Sequence, residues 1–381
     1  MSRTVTVRIG HNGITRDIEY TAPDDQPTFW GANYDFSVIG EKRIPRPDAI
    51  QKVTGKAKYT HDINRPNMLQ AVMATCPYAH ANITNIDTSE AEAMPGVKAV
   101  MTPRSVRTAR FAGWLIACVA AETIQQARDA ARKIKVDYQP QSFDFEPEES
   151  GTAAASASAS AAGGEQAHEA KSIAAETPKE GRISLPLPTD RGDVEAELAQ
   201  SDITHEAVYE TQVTPHCCLE THGCVAEFEG ENLTVWYSTQ GIWNVQRSCA
   251  SAGRVSSSQT RIITQHMGGG FGSKLQAEEF CGLCIQMAKE TGRPVKLMAN
   301  RYEDIVMCGN KPGAIMSVRI GATNDGDIRS VGVDARAIVG YTGSGGIAGP
   351  FYDNYDISNV SVSESTVRLN AGAPRPFRAP G

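Results

Sequence analysis

The chain has 381 residues, the length of two or three ordinary domains, and its 40% hydrophobic and 21% charged content excludes a disordered or collagen-like polymer. A net charge of -7 argues against a general nucleic-acid binder, and no apolar run approaches the ~20 residues of a membrane span. The first eight residues hold no apolar signal core, and the nine cysteines, an odd number spread along the chain, read as reduced thiols, so a cytoplasmic protein is expected.

Val5, Val7 and Ile9 alternate ahead of Asn12-Gly13, and Ile14, Ile18 and Tyr20 follow, which predicts an N-terminal β-hairpin within residues 1–37. A second unit, residues 38–143, shows strand patterns at Met68–Thr75, Ile116–Ala120 and Val136–Tyr138. Its helix is predicted over Glu122–Ile134, where Ile124, Ala127, Ala131 and Ile134 recur at helical spacing. From Gly151 to Gly164, thirteen of fourteen residues are Gly, Ala or Ser, so residues 144–189 read as a linker with nothing to bury in a core. The last unit, residues 190–381, is again α+β. Leu233, Val235 and Tyr237 alternate, two strands flank a turn at Asn324-Asp325-Gly326, and Arg261–Met267 reads as a strand entering a glycine loop. A helix over Gln276–Thr291 follows, ended by Gly292.

That loop, Met267-Gly268-Gly269-Gly270-Phe271-Gly272-Ser273-Lys274, lies where backbone N–H groups at a helix N-terminus can meet an anion. It fails as a P-loop, since Ser273 replaces the last glycine and Leu275 the metal-binding hydroxyl, and it fails as a dinucleotide fingerprint at Ser273. A glycine-dense turn serves structure as readily as a ligand, and Phe271 offers a face to a planar group. His216, Cys217, Cys218, His222 and Cys224 are five potential soft ligands in a short stretch. The lack of a CxxC knuckle there favours buried thiols and satisfied histidines over zinc. Cys281 and Cys284 sit within the predicted helix and read as core residues rather than a redox pair. Arg378 is placed either to meet an oxyanion or as an exposed tail arginine.

From about Val38 onward the chain resembles the molybdopterin-binding subunit of the xanthine dehydrogenase and aldehyde oxidase family. The resemblance rests on Lys52–Tyr59, Ile86–Thr88 and Met94–Val97 in the second unit, and in the last on Pro215-His216, Leu219-Glu220, Ser238–Gln240, Met267–Lys274, Thr291–Val295 and Phe377–Gly381. It implies an α+β protein made of an N-terminal hairpin, an α/β-hammerhead domain and the first part of a molybdopterin-binding domain. The implied cofactor is molybdopterin, the cytosine dinucleotide being one form it takes, with molybdenum held through the pterin and no direct protein ligand. Gln240 matches the glutamine that hydrogen-bonds an oxygen on molybdenum. Phe271 and Gly272 match the pair whose backbone lies against the metal ligands and pterin, and Gly269 and Gly270 share that loop. Arg378 matches an arginine on the substrate side. An amide donor, a close-approach loop and a cation suit an oxo-anionic centre.

Two departures qualify the resemblance. Purine-hydroxylating members carry an acid just after the loop lysine, where this chain has Leu275, so an aldehyde or N-heterocycle is the expected substrate. The family subunit is also about twice as long, and its second half carries the catalytic glutamate. The expected activity is therefore the first part of a molybdenum hydroxylase that takes its oxygen from water, with iron–sulfur and FAD partner subunits and a separate chain as one source of the missing half. The rival is a non-catalytic split or truncated assembly module, inactive alone.

Overall fold

The computed structural model describes residues 3–11, 14–22, 46–145, 190–343, 346–347 and 349–377. The expected linker from residue 146 onward, the lead-in after Ala22, the Asn12-Gly13 turn and Arg378 lie outside the described residues.

Leu115–Ala121 is buried along its whole length, and its small residues let it be covered on both faces. Val119 packs with Ala130 of the helix Ile124–Ala131, whereas Leu115, Cys118 and Ala120 join the core of the helix Glu279–Thr291. This strand belongs to a seven-stranded sheet. In spatial order its members are Thr260–Ile263, Asn232–Tyr237, Gly223–Glu229, Val295–Met298, Leu69–Thr75, Leu115–Ala121 and Val97–Met101. Four strands come from the last unit and three from the second, joined where Val295–Met298 runs parallel to Leu69–Thr75, with Val295 opposite Leu69. Strands from before and after residues 146–189 thus share one hydrogen-bonded sheet.

A four-stranded sheet, ordered Asn359–Arg368, Ile328–Val339, Gly313–Ala322 and Ile203–Thr211, carries its own core of Val318, Val331, Val333, Ala335 and Val360. Ala81–Asp87, Thr108–Ala109 and Lys135–Pro140 form a third sheet, and Arg3–His11 pairs with Ile14–Ala22 as the N-terminal hairpin.

Several expected boundaries move. The second-unit helix runs from Ile124 to Ala131, its start fixed by Thr123, whose Oγ1 accepts from the Gln126 N–H at 3.2 Å. The strand before the glycine loop stops at Ile263, four residues early. The following helix starts at Glu279 instead of Gln276, since the Glu278 N–H donates to the buried Tyr237 hydroxyl at 2.7 Å and is drawn out of the helix. A helix over Ile242–Gly253, with Val245, Cys249, Ala250 and Gly253 buried, has no counterpart among the expected elements. Its signal is the helical spacing of those four residues after Gly241.

The seam between the units is also ionic. Arg293 grips Glu122 with two bonds of 2.7 Å and donates through Nε to the Asn67 carbonyl. The Arg293 bonds hold the Glu122 carboxyl down at about 2, against an ordinary 4.5. A folded-state pKa below the unfolded one contributes stability above about pH 4.5 that is lost as pH falls toward 2. Urea titrations of Glu122→Gln should therefore show a deficit against wild type at pH 7 that closes by pH 2. A deficit independent of pH would sever this link.

Candidate functional site

Three segments meet at the glycine loop. The loop's Gly268 donates its N–H to Glu220 Oε2 at 2.9 Å, and Glu220 returns its own N–H to the Gly268 carbonyl at 3.0 Å. Ser238 donates its hydroxyl to the same Oε2 at 2.9 Å. Lys274, almost fully buried, points its ammonium into this knot, donating to the Glu220 carbonyl and the Ser238 hydroxyl, each at 2.7 Å. Burial pulls the Lys274 pKa down, while the Glu220 carboxylate, 4.0 Å from the ammonium, pushes it back up. The sequence alone gives these residues no role; the contact between them is long-range and leaves no local signature.

Gln240 stands on the loop's other side. Its Oε1 accepts the Gly272 N–H at 2.7 Å and the Lys274 N–H at 3.3 Å, and its backbone N–H donates to the Lys274 carbonyl. This fixes the amide's orientation. The Nε2 end has no acceptor among the described residues and is the outward donor. A Cβ at Gly270 would stand 2.6 Å from the Gln240 side chain, so the amide lies directly over the loop backbone.

The loop itself is not the start of a helix, contrary to expectation, since Glu279 lies well beyond it. Its donors are arranged differently. Gly269 and Phe271 have φ of 98° and 52°. The N–H groups of Gly269, Gly270 and Phe271 have no acceptor among the described residues. Consecutive backbone donors in alternating hand form an anion-binding concavity, and the loop backbone that carries these lies against the Gln240 side chain. Those residues fit an oxo-anionic group such as a molybdenum–pterin cofactor. The protein's own packing accounts for Gly272: its φ is 112°, and a Cβ there would stand 2.1 Å from the Pro376 carbonyl oxygen.

The surroundings are open and apolar. Phe271 is 49% exposed, Trp243 79% and Leu219 91%. Two clefts of about 610 and 690 Å³ lie elsewhere, the first between Val72, Ile116, Ile134 and Asn300, the second lined by Asp190, Glu206, Arg319 and Ser363.

The soft-ligand stretch disperses. His216 faces the carbonyls of Gly309 and Pro376, at 3.3 and 2.6 Å; Cys217 is exposed, and Cys218 and Cys224 are buried. Cys281 and Cys284 are core thiols on the Glu279–Thr291 helix, and burial raises the Cys281 pKa. His222 has a different neighbourhood from the one expected. Its Nδ1 lies 2.7 Å from Asp304 Oδ1, and metal-ligating atoms of His222, Asp304 and Cys308 fall within 4.8 Å of one another. Its Nε2 is buried without a hydrogen-bond partner among the described residues, 3.9 Å from Glu278 Oε1.

The profile of the molybdopterin cofactor-binding domain matches residues 177–381, and that of the aldehyde oxidase and xanthine dehydrogenase a/b hammerhead domain matches residues 54–110. A probable hypoxanthine oxidase of Escherichia coli (strain K12) is 28% identical over 373 residues, covering 86% of this chain but 38% of the relative. This chain thus spans well under half the length of that relative. The nicotinate dehydrogenase large molybdopterin subunit of Eubacterium barkeri is 28% identical over 378 residues, covering 91% of this chain and 83% of the relative. Among solved structures, quinoline 2-oxidoreductase from Pseudomonas putida 86 superposes with a TM-score of 0.69 at 20% identity, over 88% of this chain and 45% of that one. Aldehyde oxidoreductase from Desulfovibrio gigas gives 0.66 at 22%, over 88% and 39%. These likenesses carry the fold. No helix among the described residues is long and apolar enough to cross a membrane.

Proposed function

The chain belongs to the molybdopterin cofactor-binding domain family, and from that premise we propose that it forms the first part of the active site of a molybdenum hydroxylase of the xanthine dehydrogenase and aldehyde oxidase type. The substrate class is an N-heterocycle or an aldehyde, with water as the oxygen source. The observation that carries this is a set of unpartnered donors: three consecutive loop N–H groups, without an acceptor among the described residues, beside a glutamine amide whose oxygen is already committed to the loop.

Bound molybdopterin would supply the two-electron oxidation. The chain's residues bind and orient it. Gln240, through its Nε2 donor, and the backbone N–H groups of Gly269, Gly270 and Phe271 would hold the cofactor's anionic edge. Gly272 allows the backbone of residue 376 to close against the loop. Arg378 is assigned to the substrate side on the resemblance alone. Leu275, half-buried, puts an apolar side chain where purine-hydroxylating members carry an acid, which favours a ring without a carboxylate-binding polar edge. Iron–sulfur and FAD subunits would take the electrons, and the exposed Leu219, Trp243 and Phe271 suit cover by the rest of the molybdopterin domain, in this chain's continuation or in another chain. On this reading the family's catalytic glutamate is supplied by the rest of the molybdopterin domain.

The test is direct. The assembled protein from molybdenum-replete cells should carry about one molybdopterin per chain. It should also place ¹⁸O from labelled water into an oxidised N-heterocycle or aromatic aldehyde. Protein that contains no pterin under those conditions would end this reading.

A further inference from the structure

We propose that Arg375 and Glu278 are positioning residues for the molybdopterin site, a buried ionic clamp that sets the spacing between the glycine loop and the segment 374–377; this rests on the function just proposed. Arg375 donates from Nη1 to Glu278 Oε1 at 2.7 Å and from Nη2 to Oε2 at 3.1 Å, with both side chains largely buried. The same Nη1 donates to the Ser273 carbonyl at 2.6 Å, so the guanidinium binds the glycine loop's own backbone one residue past Gly272. A planar fork can hold a carboxylate and a carbonyl at once, which a lysine ammonium cannot do with fixed geometry.

Both ends of the clamp are anchored. Glu278 is held by its N–H to the Tyr237 hydroxyl, and Arg375 by its N–H to the Asn310 carbonyl at 2.8 Å. The Arg375 methylenes fill the place where a Cβ at Gly309 would stand, 2.3 Å from Cγ. Next in the chain, Pro376 presents its carbonyl to His216 Nε2 at 2.6 Å and covers Gly272 so closely that residue 272 has no room for a side chain. The consequence runs back to the donors. The Gly272 and Lys274 N–H groups flank Ser273 and aim the Gln240 amide through its Oε1, so a shift of the Ser273 carbonyl tilts the peptides that orient Nε2. A clamp that touches no cofactor atom thus governs the direction of a donor that does.

The test uses the assembled enzyme and the double variant Glu278→Gln with Arg375→Met. Removing both charges avoids leaving one buried and unpaired, so the thermal midpoint should stay within about 5 °C of wild type. Molybdopterin per chain or kcat should fall about 10–100-fold, with KM for the oxidised heterocycle unchanged, as loss of an orienting contact behind a cofactor ligand does. Content and kcat both within twofold of wild type, at equal stability, would overturn the proposal. Should the double variant not fold, Arg375→Lys decides, because it keeps the charge while giving up the fork. Lower content or kcat at an unchanged midpoint supports positioning; full content and rate, or losses that only track a lowered midpoint, make the pair a brace and overturn it. Wild-type protein that holds no molybdopterin would instead sink the functional reading, and the clamp with it.

Discussion

Exchanging Gln240 for glutamate is expected to lower turnover of the molybdopterin-loaded enzyme by ~10²–10³-fold while leaving the glycine loop in place, because it exchanges one preorganised donor for an acceptor. The retained carboxylate oxygen still accepts the Gly272 and Lys274 N–H groups, as Oε1 does now. Gln240→Ala is a different experiment. From sequence alone it looks like the removal of a lone donor that leaves folding intact; in the structure it also strips two loop N–H groups of their acceptor. Each such group left unpaired costs ~1–3 kcal/mol. The alanine variant should therefore lose cofactor and stability together, and the glutamate variant rate alone. Steady-state rates normalised to molybdenum per chain separate the two. A glutamate variant that keeps its full rate at full occupancy would show that Nε2 does not face the metal site.

Gly272→Val should be the most damaging single change in the loop. Two effects add. At φ 112° a branched residue sits in strained backbone, worth ~1–3 kcal/mol, and its Cβ would stand 2.1 Å from the Pro376 carbonyl oxygen, with backbone on both sides and nothing flexible to give way. Either the loop or the segment 374–377 must move, and the expected result is a lower denaturation midpoint and little retained molybdopterin. Gly292→Ala is the control. Gly292 caps its helix at φ 62°, and a Cβ placed there would meet no atom within 4 Å, so only the backbone cost of ~1 kcal/mol applies. Equal losses at the two positions would mean that the Pro376 contact contributes nothing.

Local patterning carries far in this protein. Alternation located the strand Asn232–Tyr237, where Leu233, Val235 and Tyr237 are the buried set, and helical spacing located Glu279–Thr291 with Phe280, Cys284, Met287 and Ala288 inside. The core reading of Cys281 and Cys284 needed only their place on that helix. Motif order along the chain was enough to identify the family and, through it, the loop and glutamine now proposed as the site. These are properties of residues close in sequence, or of their order, and no folding is needed to read them.

What the sequence could not decide is which distant groups meet. Nothing in the separate runs at Leu69 and Val295 announces that they pair to join two units in one sheet. Neither spacing nor propensity marks Glu220, Ser238 and Lys274 as one buried knot, or Glu278 and Arg375 as one clamp, since those partners lie far apart along the chain. Even the start of the helix Glu279–Thr291 turned on a hydroxyl from a strand 41 positions earlier. The pairing of a charge or a backbone donor is settled by which groups lose water together on folding, and a buried group left alone costs too much to persist. Sequence by itself determined several of the elements and the family; the tertiary structure alone decided how the glutamine amide is oriented over the loop, because that orientation is imposed by partners brought from elsewhere in the chain.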